Sequence, residues 1–302
     1  MCCKKYRFGD IIYKVNIVFY RIHRSHRLGV TGEDMKQDIR SIIRIILILI
    51  VIGSLVWLGV IQWDNHQRDQ AYDEAEDLFE ELEVSSVQQE HQENTGPTLV
   101  NTYTDPVIDE LKSKSLVSLQ AVNPDVIGWI YIPDTKVSYP LVQGTDNEYY
   151  LNNTWKDTPN IGGAIFMECG NNADMTDFNT IIYGHNMRGG SMFGTLKNYK
   201  KAKYWQEHPY IYIMHEGGVY RYEIFAAHKV QLNTIVYGMQ IENPKQREEL
   251  IRFALDYSAI DTGIEPTEDD KILTLSTCST SAKARWVVQA VWNPEESYHK
   301  PQ

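Results

Sequence analysis

The chain has 302 residues, of which 43% are hydrophobic, and a formal net charge of −11. That charge is unevenly divided: residues 1–44 hold ten Lys or Arg against four acids, and residues 62–100 hold one Arg against eleven acids. The acidic part carries no Lys/Arg cluster, which argues against nucleic-acid binding. The four cysteines include no Cys-x-x-Cys, so they supply neither a disulfide framework nor a zinc-finger pattern.

Residues Ile11 to Arg27 mix apolar residues with Lys14, Arg21, Arg24 and Arg27, and read equally as a basic amphipathic segment or a solvated tail. The run Ile42 to Ile61 is apolar apart from Arg44 and Ser54, about the length a helix needs to cross a bilayer. Its exit flank, Gln62-Trp63-Asp64-Asn65-His66, has no small-residue cleavage site, which favours an uncleaved anchor over a signal peptide. The positive-inside rule then puts residues 1–41 in the cytoplasm, the anchor at 42–62 and the remainder outside. Cys2 and Cys3 fall inside; Cys169 and Cys278 fall outside.

Beyond the anchor, Asp64 to Glu83 is acid-rich, with Ala71, Ala75, Leu78 and Leu82 near helical spacing. Ser85 to Thr98 has almost nothing to bury and reads as a flexible tether. Residues 63–102 thus read as an acidic stalk, and a folded domain at 103–302 is expected to begin near Tyr103. Pro106 to Leu119 predicts a short helix. Strand-type runs follow at Gly128–Ile132, Val137–Val142, Gly163–Met167, Thr180–Tyr183, Tyr210–Met214, Val219–Ala226, Ile272–Thr277 and Trp286–Trp292. Eight strands in about two hundred residues, punctuated by Gly, Pro, Asn and Asp, predict one β-barrel or sandwich. A late helix is signalled by Asn243 as N-cap, Pro244 at the first turn, and Leu250, Ile251, Ala254, Leu255 and Tyr257 as its apolar stripe. It is expected to pack beside the strand that ends at Cys278.

That strand, Ile272-Leu273-Thr274-Leu275-Ser276-Thr277-Cys278, alternates so that Leu273, Leu275 and Thr277 share one face and Thr274, Ser276 and Cys278 the other. By itself a cysteine at a strand end is most often a small buried hydrophobe. A cysteine nucleophile needs an acid/base partner and a donor to the oxyanion. Among the histidines beyond the anchor, His185 differs, since it leaves the buried-type strand Ile181-Ile182-Tyr183-Gly184 for a loop containing Asn186, Gly189 and Gly190. Arg285, at the head of the next strand, is placed to face Cys278.

Thr274-Leu275-Ser276-Thr277-Cys278 with a following Arg resembles the sortases, the membrane-anchored cysteine transpeptidases of Gram-positive bacteria. Tyr183-Gly184-His185 is similar to the family's histidine motif. The resemblance runs from about Val122 to Val291 and includes segments like those of class B: Asp125-Val126-Ile127-Gly128-Trp129-Ile130, Tyr139-Pro140-Leu141-Val142-Gln143 and Asp146-Asn147-Glu148-Tyr149-Tyr150-Leu151. The late helix is similar to the extra helix of that class. Only six residues lie between Cys278 and Arg285, a shorter connection than class B usually has.

The resemblance implies an eight-stranded barrel with an N-terminal helix, and Cys278 as nucleophile, His185 as acid/base and Arg285 as oxyanion or substrate-orienting residue. It also implies that Asn147, Leu151, Tyr183, Ser276 and Thr277 line a peptide groove. The implied reaction cleaves a C-terminal sorting motif of a secreted protein after Thr, through a thioacyl-enzyme. A peptidoglycan-precursor amine, or alternatively a pilin lysine, then accepts the acyl group. A non-catalytic anchored binding module is the reading of another kind. No metal or cofactor is expected, and Cys169 reads as structural or incidental.

Overall fold

Runs of β-branched and aromatic residues, cut by turn formers, build nine strands among the residues that the structure, a computed structural model, describes: 32–80, 105–278 and 284–300. The basic segment Ile11–Arg27, Cys2, Cys3, the tether Ser85–Thr98 and the expected domain start at Tyr103 lie outside the described residues. The chain divides into two compact units, Met1–Trp63 and Asp64–Gln302.

In the first unit the helix α1, Gly32–Glu80, begins. Its Ile43 and its apolar residues from Ile46 to Val60 are exposed, and it is the one helix among the described residues long and apolar enough to cross a membrane.

In the second unit β1 (Val126–Tyr131), β2 (Ser138–Val142), β3 (Ile165–Met167), β4 (Asn179–Gly184), β5 (Tyr210–His215), β6 (Gly218–Gln231), β7 (Ile272–Cys278) and β8 (Ala284–Trp292) join in the order β5-β1-β2-β3-β4-β7-β8-β6. Pairing of β5 with β6 closes the circle, giving the expected eight-stranded barrel with no free edge. The two-residue strand β9 (Tyr298–His299) adds to β6 at Gly218 and Val219. It was not expected, because the C-terminal tail reads as polar. Most pairs are antiparallel, but β2 with β3 and β4 with β7 run parallel.

Two elements differ from the sequence expectation. The predicted helix over Pro106–Leu119 is two helices, α2 (Pro106–Leu111) and α3 (Val117–Val122), separated at Lys112-Ser113-Lys114-Ser115. Asp105 caps the first by accepting from the Val107 N–H at 3.0 Å, and the Ser113 hydroxyl ends it by donating to Glu110 O at 2.7 Å. Strand β6 extends five residues past Ala226, because the alternation continues through polar side chains: His228 is buried while Lys229 and Gln231 are exposed.

The third difference concerns the start of the domain. The compact unit begins at Asp64, not near Tyr103, and the segment read as a stalk belongs in part to the core. Tyr72, Ala75 and Phe79 are buried; Phe79 stacks on Trp129 with ring centroids 4.2 Å apart, and the Tyr72 hydroxyl donates to Gly163 O at 2.8 Å. Trp155 Nε1 donates to Ala71 O at 2.7 Å. The acidic residues between these positions hid the stripe, since they occupy the helix's other face.

The barrel interior is filled by one apolar cluster that includes Leu273, Leu275, Val288 and Ala290. A short helix, α4 (Ala202–Glu207), precedes β5. The helix α5 (Pro244–Tyr257) lies outside, where Leu250, Ile251 and Ala254 meet Phe178, Phe225, Ala226 and Ile272. Asn243 caps it by accepting from the Lys245 N–H at 3.0 Å.

Two measurements check this architecture. Phe79→Ala should lower the unfolding free energy of the barrel by about 3 kcal/mol in urea titrations, the usual cost of truncating a buried aromatic side chain. A free stalk would show no loss. The second concerns acid. Burial pushes the imidazoles of His215 and His228 below their ordinary value of 6.5. The folded protein thus resists protons that the unfolded chain accepts, so their contribution is complete above about pH 6.5 and declines below it. The thermal midpoint should fall between pH 6.5 and 5, and less steeply in His228→Gln.

Candidate active site

Strand pairing sets the geometry. In the parallel pair β4–β7, Tyr183 lies beside Ser276 and Gly184 beside Thr277, so His185 and Cys278 are the next positions on neighbouring strands. In the antiparallel pair β7–β8, Cys278 is directly opposite Arg285. Backbone register therefore brings the three positions to one end of the barrel.

The Tyr-Gly-His order has a steric reason. A Cβ on Gly184 would sit 2.5 Å from Ile165 Cδ1 and 2.8 Å from the Phe193 ring, so no larger residue fits ahead of His185. The loop beyond is tied back, since Phe193 N–H donates to His185 O at 3.0 Å and Met192 N–H donates to the Tyr139 hydroxyl at 3.0 Å. The imidazole is partly buried, with Nε2 2.7 Å from Leu151 O. A carbonyl only accepts, so Nε2 carries a proton and the ring's tilt is held by the turn Tyr149–Leu151.

A cavity of about 280 Å³ opens here. Its walls include all five residues expected in a peptide groove, Asn147, Leu151, Tyr183, Ser276 and Thr277, together with His185 and Arg285. The Thr277 hydroxyl is buried and has no hydrogen-bond partner among the described residues. A buried hydroxyl left unpaired costs free energy, so a ligand that bonds to it gains what the empty site lacks.

Sequence reasoning missed several wall residues: Phe166, Gly184, Leu232 and Tyr237. Leu232 and Tyr237 come from the segment between β6 and α5, where no strand or helix periodicity marks them. Leu232 is 46% exposed, an apolar side chain at the mouth of the cavity. The Tyr237 hydroxyl lies 3.0 Å from Ser276 Oγ, tying that segment to the strand of Cys278.

Glu168, just after β3, was also missed. Its carboxylate accepts from the Tyr183 hydroxyl at 2.7 Å and from the Asn147 amide, while Asn147 Oδ1 accepts from the Cys169 N–H at 2.9 Å. Burial, and then this carboxylate, push Tyr183 well above the ordinary tyrosine range, so its hydroxyl keeps its proton. Cys169 is exposed and its thiol, 3.5 Å from Glu168 Oε1, is pushed up by partial desolvation and by that carboxylate. Neither effect favours a reactive thiolate there. Among the described residues no three His, Cys, Asp or Glu side chains are grouped to hold a metal ion.

A sortase-domain family model matches residues 130–293, more than half of the chain. The chain is 30% identical to a sortase B of Listeria monocytogenes over 262 residues, 84% of this chain and 98% of that protein. The chain belongs to the class B sortases. It is 27% identical to a sortase B of Staphylococcus aureus over 238 residues, 79% of this chain and 88% of that protein. Among solved structures, the Staphylococcus aureus sortase B–substrate complex superposes with a TM-score of 0.62 at 27% identity, over 76% of this chain and 98% of that one. The family's members are cysteine transpeptidases, and this chain is one of them.

Within this sortase, Glu168 holds together two residues of the cavity wall, Tyr183 and Asn147. Glu168→Ala should raise KM for an acyl-donor peptide about fivefold, because two side-chain donors lose their acceptor. The kcat should change less, and Cys169→Ser should leave both within about twofold. Steady-state kinetics of the two variants read this directly.

Proposed function

We propose that this sortase cleaves a C-terminal sorting motif of secreted proteins after its Thr and transfers the acyl part to an amine of a peptidoglycan precursor. The observation that carries the reading is the convergence of His185, Arg285 and the end of the Cys278 strand on one cavity.

Cys278, as thiolate, attacks the Thr carbonyl carbon. Arg285 stabilises the oxyanion, a task for which a planar guanidinium offers paired donors. The tetrahedral adduct collapses, the C–N bond breaks, and His185 gives a proton to the leaving amine. The thioester remains on Cys278 until an incoming amine attacks it and loses a proton to His185. Cys278 departs as thiolate and a new amide is left. Asn147, Leu151, Tyr183, Ser276 and Thr277 hold the peptide, with the unpaired Thr277 hydroxyl available to a polar group of the substrate.

The apolar part of α1 anchors the enzyme, with the basic N-terminus inside and the catalytic domain on the cell-wall side. Secreted substrates and lipid-linked acceptors meet at that surface. Anchoring there raises their effective concentration near the enzyme.

The test incubates the full-length chain, in detergent, with a library of sorting-motif peptides, with and without amine acceptors. Mass spectrometry should find a thioacyl adduct on Cys278 that an amine converts to an amide. Cys278→Ala and His185→Ala should abolish turnover. Arg285→Ala should lower kcat by about a hundredfold or more, as loss of an oxyanion donor does, and Arg285→Lys should not restore it. Cleavage that no amine diverts, or turnover that survives Cys278→Ala, would overturn the reading.

A further inference from the structure

A chain of buried polar side chains crosses four neighbouring strands on the outer face of the barrel. Asn179 of β4, Thr274 of β7, Gln289 of β8 and His228 of β6 are each at most 1% exposed. Asn179 grips the segment between β6 and α5 with three hydrogen bonds. Its Nδ2 donates to Val236 O at 2.9 Å and to Gly238 O at 2.7 Å, and its backbone N–H donates to Met239 O at 3.3 Å.

Each later step has its direction set by the one before. Both amide hydrogens of Asn179 go to carbonyls, so Oδ1 accepts, and the donor is the Thr274 hydroxyl at 2.7 Å. Thr274 Oγ1 in turn accepts from Gln289 Nε2 at 3.1 Å. Gln289 Oε1 must then accept, and His228 Nε2–H donates to it at 2.9 Å. Four buried polar groups would be costly without partners. Their bonds terminate on the carbonyls of 236, 238 and 239, which holds that segment in one place.

Tyr237 sits inside the gripped segment and lines the cavity, with its hydroxyl 3.0 Å from Ser276 Oγ. Thr274 and Ser276 alternate on one face of β7, so the strand that ends at Cys278 also supports the wall beside it. Tyr237 has no other role in the mechanism above, and Asn179 does not line the cavity at all.

We infer that this buried chain is a clamp for the groove wall at Tyr237, with Asn179 as the positioning residue that sets how tightly the acyl-donor peptide is held. The inference rests on the transpeptidase reading of the cavity. Asn179 acts through Tyr237 and takes no part in bond making.

The test compares wild type, Asn179→Ala, Tyr237→Ala and the double variant, all as full-length chains in detergent. Asn179→Ala should raise KM for the peptide about tenfold, with kcat and the rate of Cys278 alkylation by iodoacetamide within about twofold of wild type. The double variant should be no worse than Tyr237→Ala alone, because the two residues act on one wall. Leu119→Ala, which truncates a side chain buried in the barrel core, should lower the thermal midpoint without that rise in KM. If its KM rises equally, or if the two groove variants are additive, the clamp is overturned.

Hydrogen exchange gives a readout that needs no turnover: amides of 235–240 should exchange faster in Asn179→Ala than in wild type. Unchanged exchange overturns the clamp whatever the kinetics. Faster exchange in a chain that acylates with no peptide supports the clamp while removing the transpeptidase reading. Should Asn179→Ala fail to fold, Thr274→Val carries the same comparison, since it removes the donor that orients the Asn179 amide while keeping the side chain's shape.

Discussion

The parallel pairing of β4 with β7 is the constraint on which the site depends. Without it His185 and Cys278, ninety-three residues apart in sequence, would have no reason to meet. With it they occupy equivalent positions one step beyond Gly184 and Thr277. The pairing is buried on both sides. Its inner face belongs to the barrel core through Leu273 and Leu275, and its outer face lies under α5 and the segment before it. A parallel pair needs a long crossover, and here that crossover holds β5, β6 and α5. The elements that close the barrel and shape the cavity are therefore the same ones that let β4 and β7 run side by side.

The outer face is where polarity and packing meet. Most side chains under α5 are apolar, yet Asn179, Thr274, Gln289 and His228 form a continuous hydrogen-bonded path among them. Such a path specifies a single arrangement more sharply than apolar contacts do, because a shift of one residue strands several buried donors and acceptors. Elsewhere on the cavity wall, Glu168 performs a similar task for Tyr183 and Asn147. The cavity wall is thus held by polar groups that do not line it.

Much of the fold was legible in the sequence. The eight apolar runs became the eight barrel strands, and Asn243-Pro244 marked the start of α5, because strand patterning and helix caps are local signals. The break between α2 and α3 was missed because the apolar spacing of Pro106–Leu119 continues across two serines that favour turns. The packing of Tyr72, Ala75 and Phe79 was missed for a different reason. A helix with a narrow apolar stripe and many acids looks solvated until the surface that covers it is known, and here Trp129, Tyr139 and Trp155 supply that surface.

By itself the sequence determined the strands and the motif that names the family, and it marked Cys278, His185 and Arg285 as candidates, since residue type and local spacing carry these. Only the tertiary structure decided where the domain begins and which residues wall the cavity. Tyr237 of the wall and Glu168 behind it lie in segments without periodicity, and their place follows from hydrogen bonds to residues distant in the chain. Long-range polar contacts leave no pattern in a single sequence, because any one partner is an ordinary Asn, Thr or Glu until the fold brings the other beside it.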